Sequence, residues 1–131
     1  MLSKTSTQVI NALVELAKLP EGQCEGAKSI AKRIRAPQNY LGKMLQGLCY
    51  QKIVVSQKGM GGGFRLNKDP KQLMLYDIVE PIDQVGLWSG CALGLKKCSD
   101  VSPCAVHHRW KVVRNIYYEF LRTTSIADLV R

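Results

Sequence analysis

Between residues 53 and 66 the chain reads Ile53-Val54-Val55-Ser56-Gln57-Lys58, then Gly59-Met60-Gly61-Gly62-Gly63, then Phe64-Arg65-Leu66. Glycine turns the backbone at positive φ without steric penalty, and the β-branched and aromatic residues on either side favour extended chain. The stretch predicts a β-hairpin whose tip carries almost no side chains. A phosphate-cradling nucleotide loop is excluded, because Phe64 occupies the third glycine of G-x-G-x-x-G and no Gly-Lys-Ser/Thr follows.

The chain before the hairpin reads as three helices. Thr5 and Gln8 have capping-box spacing, Val9, Ile10, Leu13, Val14 and Ala17 recur at helical period, and Pro20 with Gly22 ends the run. A second helix fits Ala27 to Ile34, burying Ile30, Ala31 and Ile34 behind a weak cap at Glu25-Gly26. After a break at Arg35-Ala36, Pro37 suits a first helical position. The third helix then sets an apolar stripe (Tyr40, Leu41, Met44, Leu45, Leu48) against a polar face of Gln38, Asn39, Gly42, Lys43 and Gln46.

Two short helices across a tight break make a helix-turn-helix candidate, and a hairpin directly after the third helix is where a winged helix carries its wing. Amide side chains pair with adenine edges in a major groove, and lysine reaches guanine or phosphate, although the same face also reads as a plain solvated surface. Lys58 and Arg65 flank the glycine tip, where Gly61 and Gly62 let the backbone approach a phosphate or a minor groove. The candidate nucleic-acid contacts are therefore Gln38, Asn39, Tyr40, Lys43, Lys58, Gly61, Gly62 and Arg65. Cys49 reads as core, and Cys24 has no partner in sequence.

The charge supports this division. Residues 1–75 hold 12 basic and 4 acidic side chains, and residues 76–131 hold 7 and 6, so most of the net charge of +9 sits on the first half. A basic module beside a nearly neutral one fits a polyanionic partner. No apolar run approaches the roughly 20 residues that cross a bilayer. Glu15 interrupts the N-terminal apolar residues, which therefore read as a helix and not a signal peptide, so the expected location is cytoplasmic.

Beyond Asp69-Pro70, Leu75, Ile78, Val79 and Ile82 predict a short helix that Pro81 stops or kinks. Residues 84–103 read as a loop, and a long helix resumes near Pro103. Val106, Trp110, Val113, Tyr117 and Phe120 form a heptad seam, which reads as a dimer interface in preference to packing on the chain's own core. Trp88 and Trp110 are expected to pack the loop and the seam. The fold expected is mainly α with a small β-hairpin wing. A winged helix-turn-helix DNA-binding domain (1–83) precedes a cysteine-bearing loop (84–103) and a long C-terminal dimerisation helix with its tail (104–131).

Cysteine usage marks a second site. The pattern C-x(6)-C-x(5)-C-x(2)-H-H places Cys91, Cys98, Cys104, His107 and His108 close in sequence. Iron–sulfur clusters require thiolates, and histidine replaces cysteine on some irons. On spacing alone the set suits a structural zinc equally well, and bare redox thiols remain a third reading. If the helix begins near Pro103, His107 and His108 fall roughly 60° and 40° either side of Cys104, with His107 the candidate fourth ligand and His108 in reserve. The helix dipole would favour the Cys104 thiolate. An enzyme reading, with Cys104 and His107 as nucleophile and base, lacks a third orienting group; no enzyme is expected.

Tyr40-Leu41, the wing Gly61-Gly62-Gly63-Phe64-Arg65-Leu66, Asp77-Ile78-Val79-Glu80, the three-cysteine loop and the closing Ile126-Ala127-Asp128-Leu129 together resemble the Rrf family of bacterial transcription regulators. That family includes the iron–sulfur cluster regulator IscR and the nitric-oxide-responsive repressor NsrR, and the resemblance covers nearly the whole chain. It implies a homodimeric winged-helix repressor on a pseudo-palindromic promoter site in double-stranded DNA. It also implies that the three loop cysteines ligate an iron–sulfur cluster, of two or four irons, whose state switches DNA affinity in response to nitric oxide, redox state or cluster supply. A regulator of the same fold with a structural zinc or a metal-free thiol switch is the alternative. Pro81 departs from the family pattern, as does the six-residue gap between Cys91 and Cys98. The first acidic residue is Glu15, whereas some relatives supply an acidic ligand from near the N-terminus.

Overall fold

The computed structural model describes residues 2–86, 93 and 100–131. Helix α1 spans Lys4–Ala17, and Ser3 caps it, its hydroxyl accepting from the Ser6 N–H at 3.0 Å. The cap expected at Thr5 is thus corrected. Thr5 lies inside the first turn and its hydroxyl pairs with the Tyr40 hydroxyl instead. Val9, Ala12, Leu13 and Leu16 of α1 are buried.

Helix α2 (Ala27–Ile34) has Gly26 as its cap, with no side-chain bond, and ends at Arg35 in the left-handed region, φ 57°. Pro37 is the cap of α3 (Gln38–Tyr50), one residue earlier than the expected first helical position. Leu41, Leu45 and Leu48 face the core, while Tyr40 is 40% exposed. Strands β1 (Val54–Gln57) and β2 (Gly63–Leu66) pair antiparallel, with Val54 opposite Leu66 and Gln57 opposite Gly63.

Helix α4 (Leu75–Asp83) runs two residues past Pro81. The expectation that Pro81 stops it is therefore corrected: a proline near the C-terminal end removes one backbone donor, and Gln84 N–H still closes the helix on the Glu80 carbonyl at 2.9 Å. Helix α5 (His107–Thr123) is followed by α6 (Ile126–Leu129). The chain returns to the start of α4, with Leu75 N–H bonding the Thr124 carbonyl and Ile126 N–H the Leu73 carbonyl, each at 2.9 Å.

One apolar core joins these elements. Leu13, Ile30, Leu45, Val54, Leu73, Ile78, Leu121 and Ile126 are fully buried in it, so the C-terminal end of α5 and α6 close the same core that holds the helix-turn-helix. Each such side chain contributes about 1.5–3 kcal/mol on leaving water.

Candidate nucleic-acid interface and cysteine site

Helix α3 buries its leucine stripe and leaves Gln38, Asn39, Lys43 and Gln46 exposed. A groove of about 700 Å³ runs along this face, bounded by Gln38, Asn39, Lys43, Gln46 and Tyr50 on α3 and by Ala27 and Phe64 beside it. Tyr50 is 89% exposed and follows Gln46 by one turn, yet the sequence reading passed over it. Its signal was available, because 43, 46 and 50 share a face at helical spacing. Tyr40 turns instead towards α1 through its bond to Thr5, which holds the start of α3 in place.

The wing extends from the far end of α3. Lys58, Gly61 and Met60 are exposed at its tip, and Gly62 N–H closes the turn on the Gly59 carbonyl at 3.0 Å. A Cβ on Gly62 would stand 2.2 Å from the Gln57 carbonyl oxygen, so only glycine fits there. Arg65 lies further down the hairpin, opposite Val55, and lines a recess with Glu21 and Asp69. The hairpin also has a third extended neighbour that sequence reasoning missed. Glu25 bridges Phe64, with N–H to carbonyl bonds of 2.9 and 2.8 Å in both directions.

Cys104 is partly exposed and precedes α5, its carbonyl accepting from the His107 N–H at 3.1 Å. The helix begins at His107 and not near Pro103, because Val106 sits at φ −111°, ψ 7°, outside helical geometry. The angular placement expected around Cys104 therefore does not hold. His107 is buried, and its Nε2 lies 2.8 Å from Asp100 Oδ1. Lys111 also donates to Asp100, at 3.0 and 3.1 Å. The His107 and Lys111 bonds hold the Asp100 carboxyl down to about 2. Asp100 was not foreseen as a partner of this site. His108 is exposed and meets the His107 ring edge-on at 5.2 Å. Cys91, Cys98 and Trp88 lie outside the described residues, and among the described residues no group of three His, Cys, Asp or Glu is placed to hold a metal.

A family model described as an iron-dependent transcriptional regulator, Rrf2, matches residues 2–131. The chain belongs to the Rrf2 family. A protein of Aquifex aeolicus described as an HTH-type transcriptional regulator is 33% identical over 99% of this chain and 91% of its own length. Among solved structures, the global cysteine regulator CymR of B. subtilis superposes with a TM-score of 0.80 at 22% identity, over 98% of this chain and 95% of that one. T. potens IscR gives 0.77 at 21% identity, over 98% and 85%. The fold is thus the Rrf2 winged helix. Rrf2 proteins regulate transcription, which entails binding DNA, and are not enzymes.

In this Rrf2 chain the face of α5 differs from the seam expected. Tyr117 is buried in the chain's own core and Val106 lies before the helix. The exposed apolar side chains of α5 are Val112, Val113, Ile116 and Phe120, and Leu2, Val113, Ile116, Tyr117 and Phe120 border an apolar groove of about 640 Å³. Val113, Tyr117 and Phe120 of the expected seam thus lie along this groove with Ile116 beside them, while Tyr117 and Leu121 are also buried against the winged helix. No helix among the described residues is long and apolar enough to cross a membrane.

Proposed function

We propose that this Rrf2 regulator acts as a homodimeric cytoplasmic repressor on a pseudo-palindromic DNA site, and that an iron–sulfur cluster on Cys91, Cys98 and Cys104, with His107 as fourth ligand, sets its DNA affinity. Gln38, Asn39 and Lys43 read base edges, and Tyr40 seats the helix that carries them. Lys58, Gly61, Gly62 and Arg65 serve the wing's contacts with phosphate or minor groove.

The observation that carries this reading is the reach of α5. Its N-terminal end lies beside Cys104 and contains His107, its middle exposes an apolar face, and Tyr117 and Leu121 near its other end are buried in the winged-helix core. One helix thus runs from beside Cys104 past an exposed apolar face to the DNA-binding head. A change at the site that shifts α5 alters how two heads are spaced, which is the differential DNA affinity a switch requires.

The donors fit the group. Three thiols and an imidazole suit an iron–sulfur cluster, Cys104 is accessible, and Asp100 orients His107 as carboxylates orient ligating histidines. When bound, the cluster supplies a centre sensitive to redox state and nitric oxide. Oxygen-free purification, followed by iron, sulfide and zinc analysis and DNA titration, tests the reading. Equal iron and sulfide, with DNA affinity that changes when the cluster is removed, supports it. One zinc per chain assigns the loop a structural metal, and a metal-free chain with thiol-dependent DNA binding supports the thiol switch.

A further inference from the structure

We infer that Glu25 is a positioning residue for DNA binding: gripped by Arg33 of α2, it sets where the wing stands relative to the recognition helix. The inference rests on the DNA-binding reading above. A hairpin of two four-residue strands is marginal by itself, and here its inner strand is tied at Phe64 to the main chain of Glu25. The approach is close enough that a Cβ on Gly63 would stand 2.4 Å from the Glu25 carbonyl carbon.

The Glu25 side chain is held in turn along α2. Ser29 Oγ donates to its Oε2 at 2.7 Å, Arg33 Nη1 donates to Oε1 at 2.9 Å, and Arg33 Nη2 donates to Oε2. Residues 29 and 33 lie one turn apart on α2, so both side chains reach the Glu25 carboxylate just before the helix. Arg33 Nη1 also reaches Glu15 of α1 at 2.9 Å, where Lys18 makes a second ion pair. Burial pushes the Glu15 and Glu25 carboxyls up, but the hydrogen bonds from the cations outweigh it and both lie below the usual range. Helix α3 leans on the same α2, with the Ala27 methyl 3.9 Å from a Cβ built on Gly42. The recognition helix and the wing therefore share α2 as a reference, the wing through Glu25. Arg33, with both terminal nitrogens engaged by carboxylates, is committed to this junction.

Glu25→Ala and Glu15→Ala provide the test, because each removes one carboxylate facing Arg33 and so raises the net charge by one. Long-range attraction to DNA treats the two alike and tightens both. Positioning separates them. The probe is a duplex that the wild-type chain selects from a random-sequence library. Glu25→Ala is expected to bind it about fivefold more weakly despite the added charge, the scale of one lost hydrogen bond, and to speed hydrogen exchange at the Phe64 amide. Glu15→Ala is expected to keep the wild-type exchange rate and bind at least as tightly. Glu25→Gln, which retains a neutral acceptor for Arg33, is expected to recover most of the affinity and guards against a misfolded alanine variant.

Equal or tighter binding by Glu25→Ala, or unchanged Phe64 exchange, overturns the proposal. A wild-type chain that selects no duplex overturns the DNA reading and the positioning role with it. Faster Phe64 exchange in Glu25→Ala would then identify the junction as a mechanical link alone.

Discussion

Replacing Gly63 by alanine should be much more costly than the same change at Gly61 or Gly47. Gly63 has φ +132°, a region that residues with a Cβ scarcely enter, and the added methyl would lie 2.4–2.6 Å from the backbone of Glu25 and Gly26. The dihedral alone costs about 1–3 kcal/mol. Relief of the clash requires Glu25 to separate from Phe64, which gives up two backbone hydrogen bonds worth about 1 kcal/mol each. The expected loss is about 3–5 kcal/mol. Gly61, at φ +75° with no atom within 4 Å of the new Cβ, should lose only about 1–2 kcal/mol. Gly47 inside α3, with equally open surroundings, should gain about 0.5–1 kcal/mol as alanine. Urea unfolding followed by circular dichroism measures all three, with an unchanged slope confirming that only stability moved. If Gly63→Ala costs no more than Gly61→Ala, the close approach of Glu25 does not hold the wing and the reasoning fails.

Three further outcomes are expected. Ile116→Asp places a charge in the exposed apolar face of α5, where Ile116 is 63% exposed; sedimentation should show folded monomers, and a persistent dimer would assign the interface elsewhere. Lys58→Ala should weaken binding to every duplex and lower the salt slope by about one, and an unchanged slope removes Lys58 from the phosphate contacts. The folded-state pKa values of Glu15 and Glu25 lie below 4.5, so their pairing with Arg33 stabilises the chain fully above that pH and is lost as pH falls beneath it. Urea midpoints measured downward from about pH 6 should therefore fall more steeply for wild type than for Glu15→Gln, and parallel curves would contradict this.

The elements legible in the sequence are those whose signals are local. The limits of α2, Ala27–Ile34, follow from its apolar period and the break at Arg35-Ala36, and the hairpin follows from glycines set between β-branched runs. The polar face of α3 was legible for the same reason, since Leu41, Leu45 and Leu48 fix which side turns inward. The family motifs were likewise local, and the Rrf2 model matches residues 2–131.

What tertiary structure decided is what depends on residues distant in sequence. The heptad through Val113, Tyr117 and Phe120 passes over Ile116, and only the docking of α5 onto α4 shows Tyr117 largely covered while Ile116 stands exposed beside it on the groove. Asp100 meets His107 because the chain before α5 does not continue the helix, and periodicity cannot report a φ of −111° at Val106. Glu25 reads in sequence only as part of a weak cap, while its pairing with Arg33 and with Phe64 depends on how the wing folds back over the start of α2. Side-chain period and turn chemistry are properties of a few neighbouring residues, so the sequence alone determined the elements and the face of α3. Helix rotation, the third extended segment beside the wing and the partners of buried charges are settled by packing between segments, and so they emerged only from the folded chain.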